Sequence, residues 1–518
     1  MSKLLATKPL DQLLAEARSD SAHGLVRALG PYNLISMGIG AVIGAGIFVF
    51  TGSAAAQYAG PSIVISFLLV AIGCAFAGLC YAEFAAMVPI SGSAYTYGYA
   101  TLGEIFAWII GWDLVLEYAF SAATVAAGWS GTIVSLLQDF GINLPPQFIG
   151  TPGSEFTLFQ GRWTPLATAL PSITAAGINP DSLPHATAVF NLPAFISIMI
   201  VTAILVIGVK ESARFNTIAV FIKVGTIIIF IAIASVYLWK NPGVFANNWR
   251  EFIPENKGEF GQFGWSGIAR AASVVFFAYI GFDAVSTAAQ EAKNPQRDMP
   301  IGLLGSLVIC TILFLGVAVA LTGVVHYSQL NVAAPVALAT DAMGVKWGSL
   351  LIKFGSLAGL STVMLVTLMG QSRIFYAMSR DGLLPPWVSA LHPRFRTPWI
   401  SSIVIGLVVA TFSGLVPISV LGDLVSIGTL LAFVIVCAGV WMLRIKRPDL
   451  PRPFKTPWVP FTPLMGILIS LLWMGALPLD TWLRLIAWLV IGFAIYFGYS
   501  RKHSRVQADN NAAVPAAD

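Results

Sequence analysis

Charged residues are scarce in this sequence. Only 10% of its 518 residues are Asp, Glu, Lys or Arg, whereas 57% are hydrophobic. Soluble domains carry about a quarter charged residues, because their surfaces face water. A water-soluble core has no room for so much apolar surface. The composition therefore excludes a soluble protein and predicts an all-α polytopic membrane protein.

Cysteine and histidine are also rare. The four cysteines lie inside apolar runs, which predicts buried thiols rather than disulfides or metal ligands. The five histidines are scattered, and no pair has the spacing of a metal site. Neither Gly-x-Ser-x-Gly nor His-Glu-x-x-His occurs. We therefore predict a protein without metal, cofactor or enzymatic step.

Long apolar runs occupy most of the chain. A helix needs about 20 apolar residues to cross a bilayer, and runs of that length predict twelve spans with both termini on one side. Basic residues concentrate in the terminal segments and the loops on their side, which predicts cytoplasmic termini. The net charge of +5 reflects this topology and is no sign of nucleic-acid binding. The predicted spans are 33–57, 61–88, 103–137, 190–208, 214–238, 265–290, 301–325, 348–378, 398–416, 418–443, 460–477 and 481–499.

The first span contains an unusual number of glycines. Four of the eleven residues from Gly38 to Phe48 are glycine, and each weakens a helix by about 1 kcal/mol relative to alanine. We expect this helix to break near the membrane midplane, where its free N–H groups could bind a carboxylate. Gly40 and Gly44 also fit the small-xxx-small spacing of close helix packing, so packing is an equal alternative for these glycines.

The sixth span has a similar feature. Gly281 lies at its middle beside Asp283, and unwinding there would free the carbonyls of Phe277, Ala278 and Ile280 for an ammonium group. Packing is again the alternative for Gly281. Since the two interrupted spans are five apart, a five-helix repeat must enter the membrane in inverted orientation. An inverted repeat of this kind is typical of an alternating-access transporter.

This repeat divides the chain into segments. We predict a cytoplasmic N-terminal segment at 1–30, a first repeat at 31–238, a second at 264–443, two further helices at 444–500, and a disordered cytoplasmic tail at 501–518. The first repeat includes an extracytoplasmic loop at 139–189, rich in Pro, Gly, Thr and Ser. We expect this loop to lack a domain of its own.

Besides Asp283, three charged residues lie deep inside predicted spans. Lys223 is halfway along the fifth span, where a charge is costly and would depend on nearby carbonyls and hydroxyls, as a proton-coupled switch requires. The alternative is a lysine that extends to the interface. Asp113 and Glu117 are four residues apart on one helix face. They could line a substrate side-chain pocket or pair with a neighbouring helix. Arg380 and Asp381, near the end of the eighth span, could form a gate or belong to a solvated loop.

Several motifs together resemble the amino acid–polyamine–organocation superfamily, in particular its bacterial cationic amino acid transporter branch. The resemblance covers about residues 25–500. It rests on the glycine stretch Gly38 to Phe48, on Tyr81 to Phe84, Ser91 to Tyr97, Gly111 to Tyr118, Phe276 to Thr287, Asn294 to Pro300, and Gly370 to Pro385.

The resemblance implies a five-plus-five inverted-repeat fold of the LeuT type, with discontinuous helices one and six. It also implies proton-dependent uptake of L-amino acids, with Lys223 as the coupling residue, in contact with first-helix carbonyls and Ser361 or Thr362. The substrate carboxylate would bind at Ile43, Gly44, Ala45 and Gly46, and its amine at Phe277, Ala278 and Ile280. We add Glu117 and Asp283 to the candidate substrate-binding residues.

Two departures from the family pattern bear on the substrate. Relatives often carry Ser or Thr where this chain has Ala45, so one hydroxyl contact to the carboxylate would be missing. Arg270 and Lys353 lie near the outer ends of the sixth and eighth spans, where positive charge would disfavour a cationic side chain. The branch name therefore does not identify the substrate.

We hypothesise a multi-pass permease of the cytoplasmic membrane that imports an L-amino acid with a proton. The alternatives are an exchanger, in which internal substrate resets the cycle, and a sensor that binds without translocating. A small accessory membrane subunit is a further partner that the sequence leaves open.

Overall fold

The computed structural model describes residues 6–8, 29–88, 93–207, 210–332, 334–395 and 397–507. Most of the predicted segment 1–30 and residues 508–518 of the predicted tail therefore lie outside the described residues. Eight helices are long and apolar enough to cross a membrane, and three shorter apolar helices accompany them. With the segment that precedes the first break, the described residues form twelve spans, as the sequence predicts.

The spans are numbered α1 to α12. Two of them, α1 and α6, are interrupted, and α3 contains one wide π-helical turn. Shorter helices at Ser93–Thr101, Leu166–Ala175, Pro242–Asn248 and Pro335–Ala342 lie in the connections. The bounds are α1 Pro31–Val42 with Gly46–Phe50, Thr51–Ala54 and Ala55–Ala59; α2 Ile63–Met87; α3 Glu104–Val115, Leu116–Phe120 and Ser121–Asp139; α4 Leu192–Ile207; α5 Lys210–Lys240; α6 Gly264–Val275, Phe276–Tyr279 and Asp283–Glu291; α7 Pro295–Val324; α8 Lys346–Arg380; α9 Trp399–Leu415; α10 Ile418–Lys446; α11 Phe461–Gly475; and α12 Leu479–Ile495 with Tyr496–Ser500.

The break in α1 falls within the glycine stretch. The helix ends at Val42, Ile43 is extended with φ −76° and ψ 99°, and a π-helix begins at Gly46. Gly46 packs directly on the backbone of Ala278, and a Cβ on Gly44 would lie 2.9 Å from the Val363 side chain. Glycine therefore serves both purposes here, because it weakens the helix and also permits the close approach of other segments.

The break in α6 lies where the sequence predicts it. A 3₁₀ turn ends at Tyr279, Ile280 is extended, and Gly281 has φ +105°, which residues with a Cβ rarely adopt. A second 3₁₀ segment, Asp283–Glu291, completes the span. The predicted discontinuity of helices one and six is confirmed.

The loop at 139–189 contains more structure than expected. Three strands, β1 Glu155–Phe159, β2 Arg162–Pro165 and β3 His185–Thr187, form an antiparallel sheet in the order β2-β1-β3. Phe156 packs with Val134, Ile149 and Ala188 in a small core of its own. A few apolar residues among the turn formers are sufficient to order these strands, and whether the loop lacks a domain of its own stays a prediction.

A buried ionic cluster joins α2 to the end of α10. Glu83, whose side chain is 2% exposed, accepts two hydrogen bonds from Arg444, at 2.8 and 2.7 Å, and one from the Thr456 N–H at 2.8 Å. Arg452 adds a second cation at 3.2 Å. A buried carboxylate is stable only when its oxygens are satisfied in this way.

Removal of this carboxylate should destabilise the fold. Glu83→Ala leaves two arginines facing each other without a counter-ion, which costs about 3 kcal/mol, the lower end of the usual range because Arg444 is partly exposed. The midpoint of thermal unfolding in detergent should fall clearly. Asp449→Ala removes the exposed carboxylate that pairs with Arg447 and is the matched control. Equal midpoints for the two variants would contradict a structural role for Glu83.

Candidate functional site

The two interruptions meet inside the protein. Gly46 contacts Ala278, and a Cβ on Gly281 would lie 3.1 Å from Ala41. The residues predicted to bind a carboxylate and those predicted to bind an amine therefore face each other. All of them are buried. The phenyl rings of Phe50 and Phe277 lie beside them, with centroids 5.0 Å apart.

The first interruption leaves backbone donors without partners. Within the described ranges, no acceptor receives the N–H groups of Gly44, Ala45 or Gly46. The carbonyl of Gly44 accepts a bond from the Phe48 N–H at 3.3 Å, and that of Gly46 accepts one from the Thr51 hydroxyl at 3.1 Å. The oxygens are thus satisfied while three N–H groups at the start of a helix remain free. This arrangement suits an anion.

The second interruption leaves backbone acceptors without partners. No donor in the described part of the chain reaches the carbonyls of Ala278 or Ile280. The carbonyl of Phe277 differs from the expectation, because it accepts the Ile280 N–H at 3.3 Å and retains only its second lone pair. Two free carbonyls opposite free N–H groups can bind the two ends of a zwitterion.

Lys223 lies on the other side of the first break. It is fully buried, and its ammonium donates to the carbonyls of Gly40 at 2.5 Å and Ile43 at 3.0 Å and to the Thr362 hydroxyl at 3.3 Å. The two carbonyls accept its bonds because the break at Ile43 has removed their helical partners. In the described part of the chain no carboxylate pairs with Lys223, so two backbone carbonyls and one hydroxyl stabilise its charge.

The two hydroxyls predicted near Lys223 have different partners. Thr362 contacts the ammonium, whereas Ser361 accepts a bond from the Trp129 indole at 3.1 Å and donates to the Leu357 carbonyl at 2.7 Å. Neighbouring residues on a helix point about 100° apart, so only one of them can face α5. Lys223 thus joins α5, the unwound part of α1, and α8.

Acidic side chains lie next to the second break. Asp113, Glu117 and Asp283 are all buried, and the Tyr118 hydroxyl donates to Asp283 at 3.3 Å. Asp283 Oδ1 and both oxygens of Glu117 and of Asp113 have no hydrogen-bond partner among the described residues. Pairing with a neighbouring helix, one alternative for Asp113 and Glu117, is not seen there. Tyr118 was missed by the sequence analysis, since nothing marks it apart from its position after Glu117.

Arg270 and Lys353 both have carboxylate partners. Arg270 pairs with Asp423 at 3.2 Å and lies over the ring of Tyr58, and Lys353 pairs with Asp139. Asp423 balances the charge of Arg270, whereas Asp139 also pairs with Arg162 at 3.1 Å and is shared between two cations. The partners of Arg270 and Lys353 are 153 and 214 residues away in sequence, and no local pattern indicates them.

Asp381, one member of the predicted gate pair, contacts residues from two other segments. Asp381 accepts bonds from Lys8 at 2.8 Å and from the Tyr95 hydroxyl at 2.7 Å. The gate proposed for Arg380 and Asp381 thus has Lys8 as a cation. Lys8 comes from a region where the sequence analysis identified no functional residue.

Comparisons with known proteins identify the family. The amino acid permease family matches residues 29–500. The branched-chain amino acid permease BcaP of Bacillus subtilis strain 168 is 44% identical over 500 residues, which are 96% of this chain and 98% of that protein. The methylthioribose transporter of the same strain is 42% identical over 504 residues, 97% and 99% of the two chains.

A solved structure shows the same fold. MhsT in complex with L-phenylalanine aligns with 90% of this chain and 99% of its own, with a TM-score of 0.51 and 13% identity. The all-α, five-plus-five inverted-repeat architecture is therefore confirmed, and with it a transporter rather than an enzyme. The chain belongs to the amino acid permease family of the amino acid–polyamine–organocation superfamily.

Proposed function

We propose that this protein imports an L-amino acid by alternating access, with a proton as the coupling ion. The substrate carboxylate accepts bonds from the N–H groups of Gly44, Ala45 and Gly46. Its ammonium donates to the carbonyls of Ala278 and Ile280 and to the second lone pair of Phe277. Free backbone donors and acceptors on facing interruptions support this placement.

The observation that carries proton coupling is the position of Lys223. A protonated Lys223 has three donors for its three acceptors, and two of these acceptors belong to α1. A neutral amine has only two N–H groups, so loss of the proton breaks one of these bonds and weakens the link between α1 and α8. Because Ile43 borders the carboxylate site, substrate and proton act on the same unwound segment.

The side-chain end of the substrate would lie among Phe50, Phe277 and Ile280, close to Asp283 and Glu117. The aromatic rings favour an apolar or thioether group. The unpartnered carboxyl oxygens favour a group that donates hydrogen bonds. Because Arg270 and Lys353 both have carboxylate partners, their charges do not decide between a neutral and a cationic amino acid.

A second candidate substrate is a methylthio sugar. Such a molecule lacks the zwitterionic head group but carries hydroxyls. These hydroxyls can donate hydrogen bonds to the unpartnered oxygens of Asp113, Glu117 and Asp283. The name of one relative, a methylthioribose transporter, supports this alternative. Competition between leucine, arginine and methylthioribose for uptake would choose among the three.

Reconstituted uptake tests the proposal. We expect a proton gradient across proteoliposomes to drive accumulation of the preferred L-amino acid. The proton and the amino acid should both move toward the side of the membrane that carries the two termini. Accumulation only with preloaded substrate would establish an exchanger instead. Binding without transport would establish a sensor. D-amino acids of the same side chain are the control, since with both head groups at the two breaks their side chain points away from Phe50, Phe277 and Ile280.

A further inference from the structure

The connection between α10 and α11 is strongly basic. Five cations occur from Arg444 to Lys455, and three of them, Arg444, Arg452 and Lys455, line a cavity of about 590 Å³. Asp449 is the acidic residue of this segment. Glu83, beneath the cavity, contributes the second negative charge. Five positive charges against two negative ones leave the segment positive by three. The cations are Arg444, Lys446, Arg447, Arg452 and Lys455.

The cavity is rigid because two arginines hold the segment in place. Arg444 binds Glu83 through its Nε and Nη2 atoms. Arg452 donates to the carbonyls of Leu450 at 2.8 Å and Arg447 at 2.7 Å. These bonds fold the backbone of the segment around the Arg452 guanidinium. Arg452 is thus occupied with the protein itself.

Two donors that line the cavity remain available. Nη1 of Arg444 and the ammonium group of Lys455 have no hydrogen-bond acceptor among the described residues, and neither has Lys446, which lies outside the lining. Both lysines are exposed. Asp449 pairs with Arg447 through both carboxylate oxygens, so it does not occupy Arg444 or Lys455. Arg444 and Lys455 line the same space and can bind one anion between them.

Neighbouring side chains place the cavity at the surface of the bilayer. Ile445, Trp458 and Phe461 are 66%, 77% and 52% exposed, and they flank the basic residues in sequence. Large exposed apolar and indole side chains at the end of a span lie at the membrane interface, level with lipid head groups. The free cations are therefore at the depth where lipid phosphates occur.

We propose that this cavity binds the phosphate of an anionic phospholipid, held by Arg444 and Lys455, with the exposed Lys446, two residues from Arg444, adding positive charge. Basic pockets between helix ends are suited to such head groups. A phosphate could also come from a soluble compound, and the experiment separates these sources. The competing interpretation is that the cations only orient the chain during insertion, which requires no binding.

The test uses the full-length protein in detergent. Short-chain phosphatidylglycerol should raise the midpoint of thermal unfolding in a saturable, salt-sensitive manner, whereas phosphatidylcholine of equal chain length should not. The double substitution Lys446→Gln with Lys455→Gln should weaken the apparent affinity about 25-fold. This value corresponds to about fivefold, or about 1 kcal/mol, for each lysine.

The matched control is Lys240→Gln with Lys502→Gln, which removes two exposed cations elsewhere. It should bind phosphatidylglycerol as the parent does. Equal loss in both double variants, or no loss in either, would overturn the site. Equal stabilisation by phosphatidylcholine would also overturn it. If glycerol phosphate protects as well as the lipid at the same concentration, the anion is soluble and the lipid assignment is wrong.

Discussion

Replacement of Lys223 by methionine should abolish accumulation driven by a pH gradient while exchange of preloaded substrate persists. Methionine has a similar length but cannot donate to the carbonyls of Gly40 and Ile43, so α1 and α8 lose the link that depends on the proton. For a carrier that moves one proton with each substrate, a gradient of about one pH unit sustains about a tenfold concentration ratio. The variant should reach a ratio of about one.

Two further measurements make this result specific. Lys240→Met removes an exposed lysine at the end of the same helix, and it should accumulate substrate as the parent does. Exchange by Lys223→Met shows that the variant is folded and inserted. A tenfold ratio in Lys223→Met would exclude this lysine as the coupling residue. If Lys223→Met loses both exchange and accumulation, Lys223 instead maintains the structure of the first break.

Gly46→Ala should eliminate substrate binding. A single methyl group at this position collides with the backbone of Ala278, which cannot move aside as a side chain could. The two interruptions must then separate, and the N–H groups of Gly44 to Gly46 leave their positions opposite the free carbonyls. Overpacking of this kind also costs about 1–3 kcal/mol of stability. Affinity for the transported amino acid should fall at least about 100-fold, measured by isothermal calorimetry in detergent.

The matched control is Gly225→Ala, since a Cβ on Gly225 would meet no atom within 4 Å. This variant adds the same methyl group to a spanning helix two residues from Lys223. It should bind with parental affinity and unfold at a similar or higher temperature. If Gly46→Ala binds substrate normally and remains folded, the N–H groups of the first break are not the carboxylate site.

The spans and both interruptions were predictable from the sequence because their causes are local. The length of an apolar run determines whether a helix can cross the bilayer, and glycines within a few residues determine where it breaks. The position of Lys223 within a span was also predictable from the sequence. The same holds for its need of hydrogen-bond acceptors around the ammonium group. The roles of the site residues remain proposals, which the experiments above address.

Other features depend on helix rotation and could not be derived from residue order. Thr362, rather than Ser361, contacts the Lys223 ammonium because the face of α8 that carries Thr362 is turned toward α5. The π-helical turn Leu116–Phe120 rotates the side chains of Glu117 and Tyr118 about the helix axis by part of a turn. The four-residue spacing of Asp113 and Glu117 in the sequence does not reveal this rotation. The small three-stranded sheet depends on contacts of Phe156 with Val134 and Ala188, which are more than 20 residues away in the chain.

By itself, the sequence determined a membrane protein with twelve spans, two of them broken, and an uncompensated lysine in the fifth. Only the tertiary structure decided which partner each charge has: Asp423 for Arg270, Asp139 for Lys353, and Lys8 for Asp381. The physical reason is the sequence separation over which each interaction acts. Helix formation and membrane insertion depend on neighbours within a few turns, whereas an ion pair depends on where packing brings two helices that are far apart in the chain.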